Sequence, residues 1–360
     1  MLLDTLGRDI RLSLRSLARE RKFSATVLLI IALCLGANIA IFAVVYGVLL
    51  KPLPFRDPEQ LVLVANAYPK AGVERAGTSV PHYIERKEGV GALAESGAYR
   101  GSGVTIGEAG SPERVDSISA TPSFFRVLGV NAALGRTFTD EEGFYGKHQV
   151  ALISDGLWRQ RFNADPEVIG RKMRVNSEDF TIVGVMAPGF RFLSEKAAVW
   201  TPLCFSDDDR KPERRHANNM SMIARLRPGE TVASAQAQVD ALNARAMESD
   251  PFGKLVKDAG FHAQVFSLAQ DHVRELRPVL LLLQAGVLFL MLIGLVNLTN
   301  LMLVRATGRA KEYCVRQALG AGRGQLARSL ITETVLLALA GGALGLALGA
   351  AGLRGIELMV

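Results

Sequence analysis

The sequence predicts a membrane protein: an α-helical transmembrane bundle of three spans, with a large mixed α/β periplasmic domain inserted between spans one and two. Three observations predict it. Phe23 to Leu50, Pro278 to Val304 and Thr334 to Leu353 are runs of 28, 27 and 20 residues without an Asp, Glu, Lys, Arg or His. Each reaches the ~20 apolar residues that a helix needs to cross the hydrocarbon core. The formal net charge of +7 is concentrated beside those runs, whereas residues 51–277 between the first two hold 29 basic and 29 acidic groups.

The composition excludes other classes. A hydrophobic content of 49% is far above that of a disordered chain. The 35 glycines follow no three-residue period, and three cysteines do not make a disulfide scaffold. Buried helices of a soluble protein are rarely so long and wholly uncharged. The first run also exceeds the ~7–15 residues of a signal-peptide apolar region.

Orientation follows from Lys and Arg beside the spans. Residues 1–22 carry six of them against three acidic groups, and residues 305–328 carry six against Glu312 alone. The positive-inside rule places both segments in the cytoplasm and the long insertion on the exported side, which in a bacterial inner membrane is the periplasm. The expected organisation is a cytoplasmic amphipathic helix (1–22), a first transmembrane helix (23–50), the periplasmic domain (51–277), a second span (278–304), a cytoplasmic loop (305–329), a third span (330–353) and a tail (354–360). The basic pI is thereby a topology signal and gives no reason to expect a nucleic-acid partner.

Taken in order, Leu3, Leu6, Ile10, Leu14 and Leu17 share one sector of a helix whose opposite side carries Arg8, Arg11, Arg15, Arg19 and Lys22. Such a helix lies on the bilayer surface, either as an anchor or as an elbow moving with the first span. Asn38, Asn297 and Asn300 fall inside spans, where an unpaired amide is expensive, so they are expected to pack against another helix. Gly341, Gly342, Gly345 and Gly349 give the third span small-residue faces suited to close helix contact. Leu268 to Arg277 lacks Gly and Pro and is expected to extend the second span outward, with Pro278 at a kink or a helix start.

In the inserted domain, Gln60 to Ala67 and Gln149 to Ile153 read as strands. Arg171 to Val175 and Phe180 to Val185 flank a turn at Asn176-Ser177-Glu178-Asp179, and Thr231 to Met247 repeats apolar residues at helical spacing. Trp158 and Trp200 read as core. No chemistry stands out. Cys34, Cys204 and Cys314 fall in three different compartments, so no disulfide is expected. The five histidines lack zinc spacing, and Asp207-Asp208-Asp209 lacks the spacing of a calcium loop. There is no P-loop and no nucleophile elbow. The expectation is a non-enzyme without catalytic, cofactor or metal site.

Specific blocks carry a family resemblance. They are Leu35-Gly36-Ala37-Asn38-Ile39-Ala40-Ile41-Phe42, Leu49-Leu50-Lys51-Pro52-Leu53-Pro54-Phe55, Pro122-Ser123-Phe124-Phe125-Arg126-Val127-Leu128-Gly129-Val130, Gly184-Val185-Met186-Ala187-Pro188-Gly189-Phe190, Asn297-Leu298-Thr299-Asn300-Leu301-Met302-Leu303-Val304-Arg305 and Glu312-Tyr313-Cys314-Val315-Arg316-Gln317-Ala318-Leu319-Gly320-Ala321. In this order the chain resembles the MacB/FtsX-type ABC transporter permeases, especially the acidobacterial duplicated orphan permease subgroup. The family carries a fourth span per unit, so the chain reads as a permease truncated after its third.

The spacing of Arg305, Arg309, Glu312 and Arg316 by four, three and four sets them along one face of a short cytoplasmic helix ended by Gly320. The resemblance implies that this is the coupling helix of an ABC ATPase subunit, contacted through Arg305, Arg309, Glu312, Arg316, Leu319 and Gly320. It further implies that ATP is used by that partner, and that the spans relay its motion to the periplasmic domain for efflux or envelope export. Other implied partners are the lipid bilayer, a second permease unit or homodimer copy, and a periplasmic adaptor or hydrolase. The alternatives are a membrane-anchored regulator of a periplasmic hydrolase or assembly, without transport, and a non-functional fragment.

Overall fold

The computed structural model describes residues 2–107, 112–192, 196–318 and 322–357. It divides into two compact units, one of Met1–Lys51 with Val273–Val360 and one of Pro52–His272. The chain opens with α1 (Leu2–Arg19) and α2 (Arg21–Val45), and α2 runs on into one π-helical turn, Tyr46–Leu50.

The second unit is a mixed α/β domain. Its elements are β1 (Leu61–Tyr68), β2 (Val73–Ala76), α3 (Val80–Gly89), β3 (Leu93–Ile106), β4 (Glu113–Ala120), α4 (Ser123–Leu128), β5 (Leu134–Gly135), β6 (Val150–Ile153), α5 (Asp155–Phe162), β7 (Lys172–Val175), β8 (Glu178–Val185), β9 (Val199–Pro202), β10 (Ser221–Leu226), α6 (Val232–Met247), α7 (Gly253–Asp258) and β11 (His262–Ser267), followed by α8 (Leu268–Val273). The strands form one sheet in the order β11-β1-β10-β3-β4-β9-β6-β8-β5, with β2 on β1 and β7 bridging β3 and β8. Among the described residues, β4–β9 and β6–β8 pair in parallel and the other pairs are antiparallel.

Seven of the eight residues of β1 are buried, because strands flank it on both edges and core packs on both faces. On one side Leu61, Leu63, Ile118, Phe124, Phe125, Trp200 and Ile223 form a core, and α4 closes on it. Gly97 of β3 permits that approach: a Cβ there would stand 2.9 Å from the Phe124 Cα. On the other, Val62, Val64, Tyr83, Met222 and Val239 pack under α3 and α6. Trp200 lies in the first core, fully buried. Trp158 is half-buried against a third cluster and donates from Nε1 to the Asp165 carbonyl at 2.8 Å.

The hairpin differs from its expected form. Glu178 and Asp179 belong to β8, so the turn shrinks to Asn176 and Ser177, both with left-handed φ (47° and 74°). That is the two-residue type I′ geometry, whose twist matches the strands. The amphipathic segment after Pro228-Gly229 is α6, capped by Thr231, whose side chain accepts from the Ser234 N–H. Asp208 is engaged by Lys211 and Arg214, and Asp209 accepts from Ser206; burial plays little part, and these hydrogen bonds hold both carboxyls below the ordinary range.

The first unit resumes with α9 (Leu276–Gly308), α10 (Ala310–Ala318) and α11 (Arg323–Glu357). Pro278 sits in the first turn of α9, where its missing N–H costs no helical bond. The segment expected to extend the second span is instead the separate short helix α8, parted from α9 by a turn at Arg274 and Glu275. Among the described residues, three helical stretches are long and apolar enough to cross a membrane: Arg21–Leu50, Leu276–Gly308 and Ala327–Gly355. Helix α2 lies against both α9 and α11, and α1 packs at their end through a core of Leu17, Val27 and Leu337.

Candidate functional site

The residues singled out in the sequence fall into two places of the membrane unit. The first is where α1, α2, α9 and α11 come together. Glu20, the single residue between α1 and α2, accepts from Arg305 Nε at 2.6 Å and pairs with Arg309 Nε at 2.8 Å. Glu333 of α11 lies 2.8 Å from Arg305 Nη2 and 3.5 Å from Arg309 Nη1. The Nη2 contact is bent too far for a hydrogen bond and acts as a Coulombic pair. Arg305 also stacks over the Phe23 ring at 4.5 Å, and Arg309 Nη2 donates to Ser16 Oγ at 2.7 Å. The Arg305 and Glu333 side chains are only 9% and 6% exposed, so each charge depends on the other for compensation.

This placement corrects the expected single helical face. Helix α9 ends at Gly308, with Arg309 as its C-cap, and α10 starts at Ala310. Arg305 and Arg309 therefore belong to the end of α9 and turn into the bundle, drawn by two carboxylates that the sequence places 24 residues or more away. Glu312 lies on α10, is exposed, and stands 3.8 Å from Arg309. Arg316 is also on α10, and its side chain, like Leu319 and Gly320 entirely, lies outside the described residues.

The second place is the helix packing itself. Asn38 Nδ2 donates to the Cys34 carbonyl of its own helix at 2.9 Å and to the Val287 carbonyl of α9 at 3.2 Å. That satisfies an amide which hydrocarbon could not. Asn297 and Asn300 are exposed on α9, uncovered by any described helix. The α11 glycines meet α2: a Cβ on Gly345 would lie 2.9 Å from Leu35 Cβ, and one on Gly349 2.9 Å from Ile39 Cγ2. Gly36 faces them, with Gly345 O 3.2 Å from where its Cβ would be.

Sequence reading missed a polar network inside the α/β domain. Buried Asn66 of β1 donates to His82 Nδ1 at 3.0 Å and to Asn218 Oδ1 at 2.7 Å, and accepts from Arg86 at 2.5 Å. Asn218 donates to the Tyr68 hydroxyl at 3.0 Å, which meets His216 Nδ1 at 2.8 Å; His216 Nε2 meets Asp250 at 2.8 Å. Arg215 joins Asp250 and Glu85. Burial, and then the charge of Arg86, pushes the His82 pKa far below that of an ordinary histidine. Burial likewise lowers Arg86, to about 10. The residues come from β1, α3 and the segments before β10 and α7, so no local spacing signals them. Among the described residues, no group of three or more His, Cys, Asp or Glu could hold a metal ion.

A bundle of apolar helices tied by ion pairs at one end, interrupted after its first long helix, defines a multi-span membrane protein with an inserted α/β domain. The chain belongs to the MacB/FtsX-type permeases: residues 24–242 match the MacB-like periplasmic core domain, and residues 285–358 match the FtsX-like permease C-terminal family. It is 27% identical over 226 residues to the macrolide export ATP-binding/permease protein MacB of Chromobacterium violaceum, covering 62% of this chain and 33% of that one. The corresponding protein of Sodalis glossinidius is 28% identical over 242 residues, covering 66% and 35%. The chain thus spans about a third of the length of the curated relatives it matches. Among solved structures, the periplasmic region of MacB from Actinobacillus actinomycetemcomitans is 10% identical, with a TM-score of 0.43, over 66% of this chain and 97% of that one. The extracellular domain of the ABC-type transporter YknZ from Gram-positive bacteria is 13% identical, with a TM-score of 0.39, over 57% and 99%.

Proposed function

We propose that the chain is the transmembrane part of an ABC transporter of the inner membrane, which relays ATP-driven motion of a separate ATPase subunit through its spans to the inserted domain, for efflux or envelope export. In this reading residues 1–22 and 305–329 face the cytoplasm, the inserted domain lies in the periplasm, and α10 is the surface on which the ATPase docks. One observation carries the reading: Glu20, Arg305, Arg309 and Glu333 tie the start of α2, the end of α9 and a point about three turns into α11 together beside α10. A push on α10 would then act on all three long helices at once, because ion pairs with so little exposure resist separation. Arg305 and Arg309 serve as internal braces, which leaves Glu312 and Arg316 of α10, with Leu319 and Gly320, as the partner-facing set.

The test is reconstitution with the cognate ATPase. Glu312→Lys and Arg316→Glu should abolish stimulation of ATP hydrolysis while membrane insertion stays intact; unchanged stimulation and copurification would refute the coupling role. In the same proteoliposomes, ATP-dependent substrate release separates a transporter from a regulator that only activates a periplasmic partner.

A further inference from the structure

A cavity of about 660 Å³ opens beside the α1–α2 junction and the last turns of α9. Its walls combine two chemistries. Phe23, Leu301 and Val304 supply an apolar side, and Arg19, Arg21 and Lys22 a cationic rim. Gly308, Arg305, Arg309 and Glu20 complete the lining, the last three engaged in the ion network with Glu333. Arg19, Arg21 and Lys22 are exposed and pair with no acidic group among the described residues. Of the five cations that line the cavity, Arg305 and Arg309 are paired with carboxylates, and the three on the rim are not.

The depth of the cavity decides what would fill it. The first apolar helix begins at Arg21 and the second ends at Gly308, so the rim stands where hydrocarbon gives way to headgroups. A free anion would leave the apolar wall wet. A zwitterionic lipid would leave the three cations without a counterion. We propose that this cavity is a binding site for one anionic phospholipid, its phosphodiester held by Arg19, Arg21 and Lys22 and its acyl chain lying on Phe23, Leu301 and Val304. The Phe23 ring is held in place by Arg305, whose guanidinium stacks on it at 4.5 Å and is itself fixed in the buried pair. The site does not depend on an ATPase partner.

The experiment uses the full chain in nanodiscs of phosphatidylcholine doped with spin-labelled phosphatidylglycerol or spin-labelled phosphatidylcholine, reading the motionally restricted fraction. The native chain should retain phosphatidylglycerol about tenfold over phosphatidylcholine, since juxtamembrane cations each contribute measurably to anionic-lipid binding. The triple variant Arg19→Gln, Arg21→Gln, Lys22→Gln should lose that preference to within about twofold. Val304→Trp, which fills the cavity without changing charge, should cut retained phosphatidylglycerol several-fold, with the thermal midpoint unchanged in both variants. Millimolar inorganic phosphate should not displace the lipid. Persistence of the preference in the triple variant would overturn the site. So would unchanged retention in Val304→Trp, which would mean surface attraction only, or full displacement by phosphate, which would mean an ion site. Loss of a copurifying ATPase from the triple variant with its lipid preference intact would assign the rim to a protein partner and overturn the proposal as well.

Discussion

Arg305 Nε and Glu20 Oε2 lie 2.6 Å apart, joining the end of the second long helix to the residue between the first two helices, 285 positions away in sequence. Arg305 is almost wholly enclosed, so removing it leaves Glu20 and Glu333 to share Arg309. Cutting one partner from such a pair strands a desolvated charge, which costs about 3 kcal/mol. Arg305→Ala should therefore unfold at markedly lower denaturant in detergent. Glu20→Ala should cost less, because its carboxylate is a third exposed. The double variant should be less destabilised than the sum of the two, by about 1 kcal/mol or more. Strict additivity would show that the pair contributes nothing.

The glycine seam between α2 and α11 gives a sharper contrast, since Gly341 and Gly342 are adjacent and differ in surroundings. A Cβ on Gly341 would stand 2.6 Å from Ile31 Cγ2, whereas one on Gly342 meets nothing within 4 Å. Forcing methylenes into a packed contact costs about 1–3 kcal/mol. Gly341→Leu and Gly345→Leu should each lower the thermal midpoint by several degrees, and Gly342→Leu should leave it within about a degree. Equal effects at Gly341 and Gly342 would mean that the seam is not formed in the membrane.

Much of this was legible in the sequence because the signals are local. A run of apolar residues, a Gly-x-x-x-Gly pair and the apolar spacing of Thr231 to Met247 are each set by neighbours a few turns apart. The amides show where locality fails. Asn38 finds the Val287 carbonyl, as an intramembrane amide should, but Asn297 and Asn300, of the same residue type in the same setting, are exposed. Which face of α9 is covered depends on helix azimuth, which composition does not encode. Arg305 and Arg309 fail for the same reason: spacing put them on one helix with Glu312, while Gly308 ends that helix and distant Glu20 and Glu333 claim the guanidiniums. The network around Asn66 joins β1 to residues as far as Asp250 and exists only once the sheet has closed.

The β7–β8 hairpin offers a stabilising change. Ser177 holds φ at 74°, where a side chain is strained, and its own side chain makes no hydrogen bond among the described residues. Asn176 is fixed independently, since its Oδ1 accepts from the Thr105 N–H at 2.9 Å. Ser177→Gly creates the Asn-Gly pair that type I′ turns favour. A gain of about 0.5–1 kcal/mol is expected in chemical denaturation of the intact chain, because glycine relieves the left-handed strain and gives back only part of that gain as unfolded-state entropy. Ser177→Val should lose at least as much.

His82 makes the stability of the inserted domain depend on pH. Its Nδ1 accepts from Asn66, which leaves the proton of the neutral ring on Nε2, an atom with no hydrogen-bond partner. The ring is buried, with Phe261 stacked on it at 5.5 Å, and Arg86 and Arg215 stand near, so a second proton would be desolvated and then repelled by these guanidiniums. The native pKa is accordingly driven far below the unfolded value of 6.5. Above 6.5 neither state binds the proton and the full stability is present. As pH falls below 6.5 the unfolded chain takes it up and the folded chain does not, so stability falls with acidification, by at most about 1.4 kcal/mol per pH unit from this residue. Melting of the intact chain, followed by near-ultraviolet dichroism of the buried Trp200, should decline from pH 7 to pH 5. His82→Gln should remove most of that slope, even if it lowers the midpoint at every pH; an unchanged slope would assign the dependence to other groups.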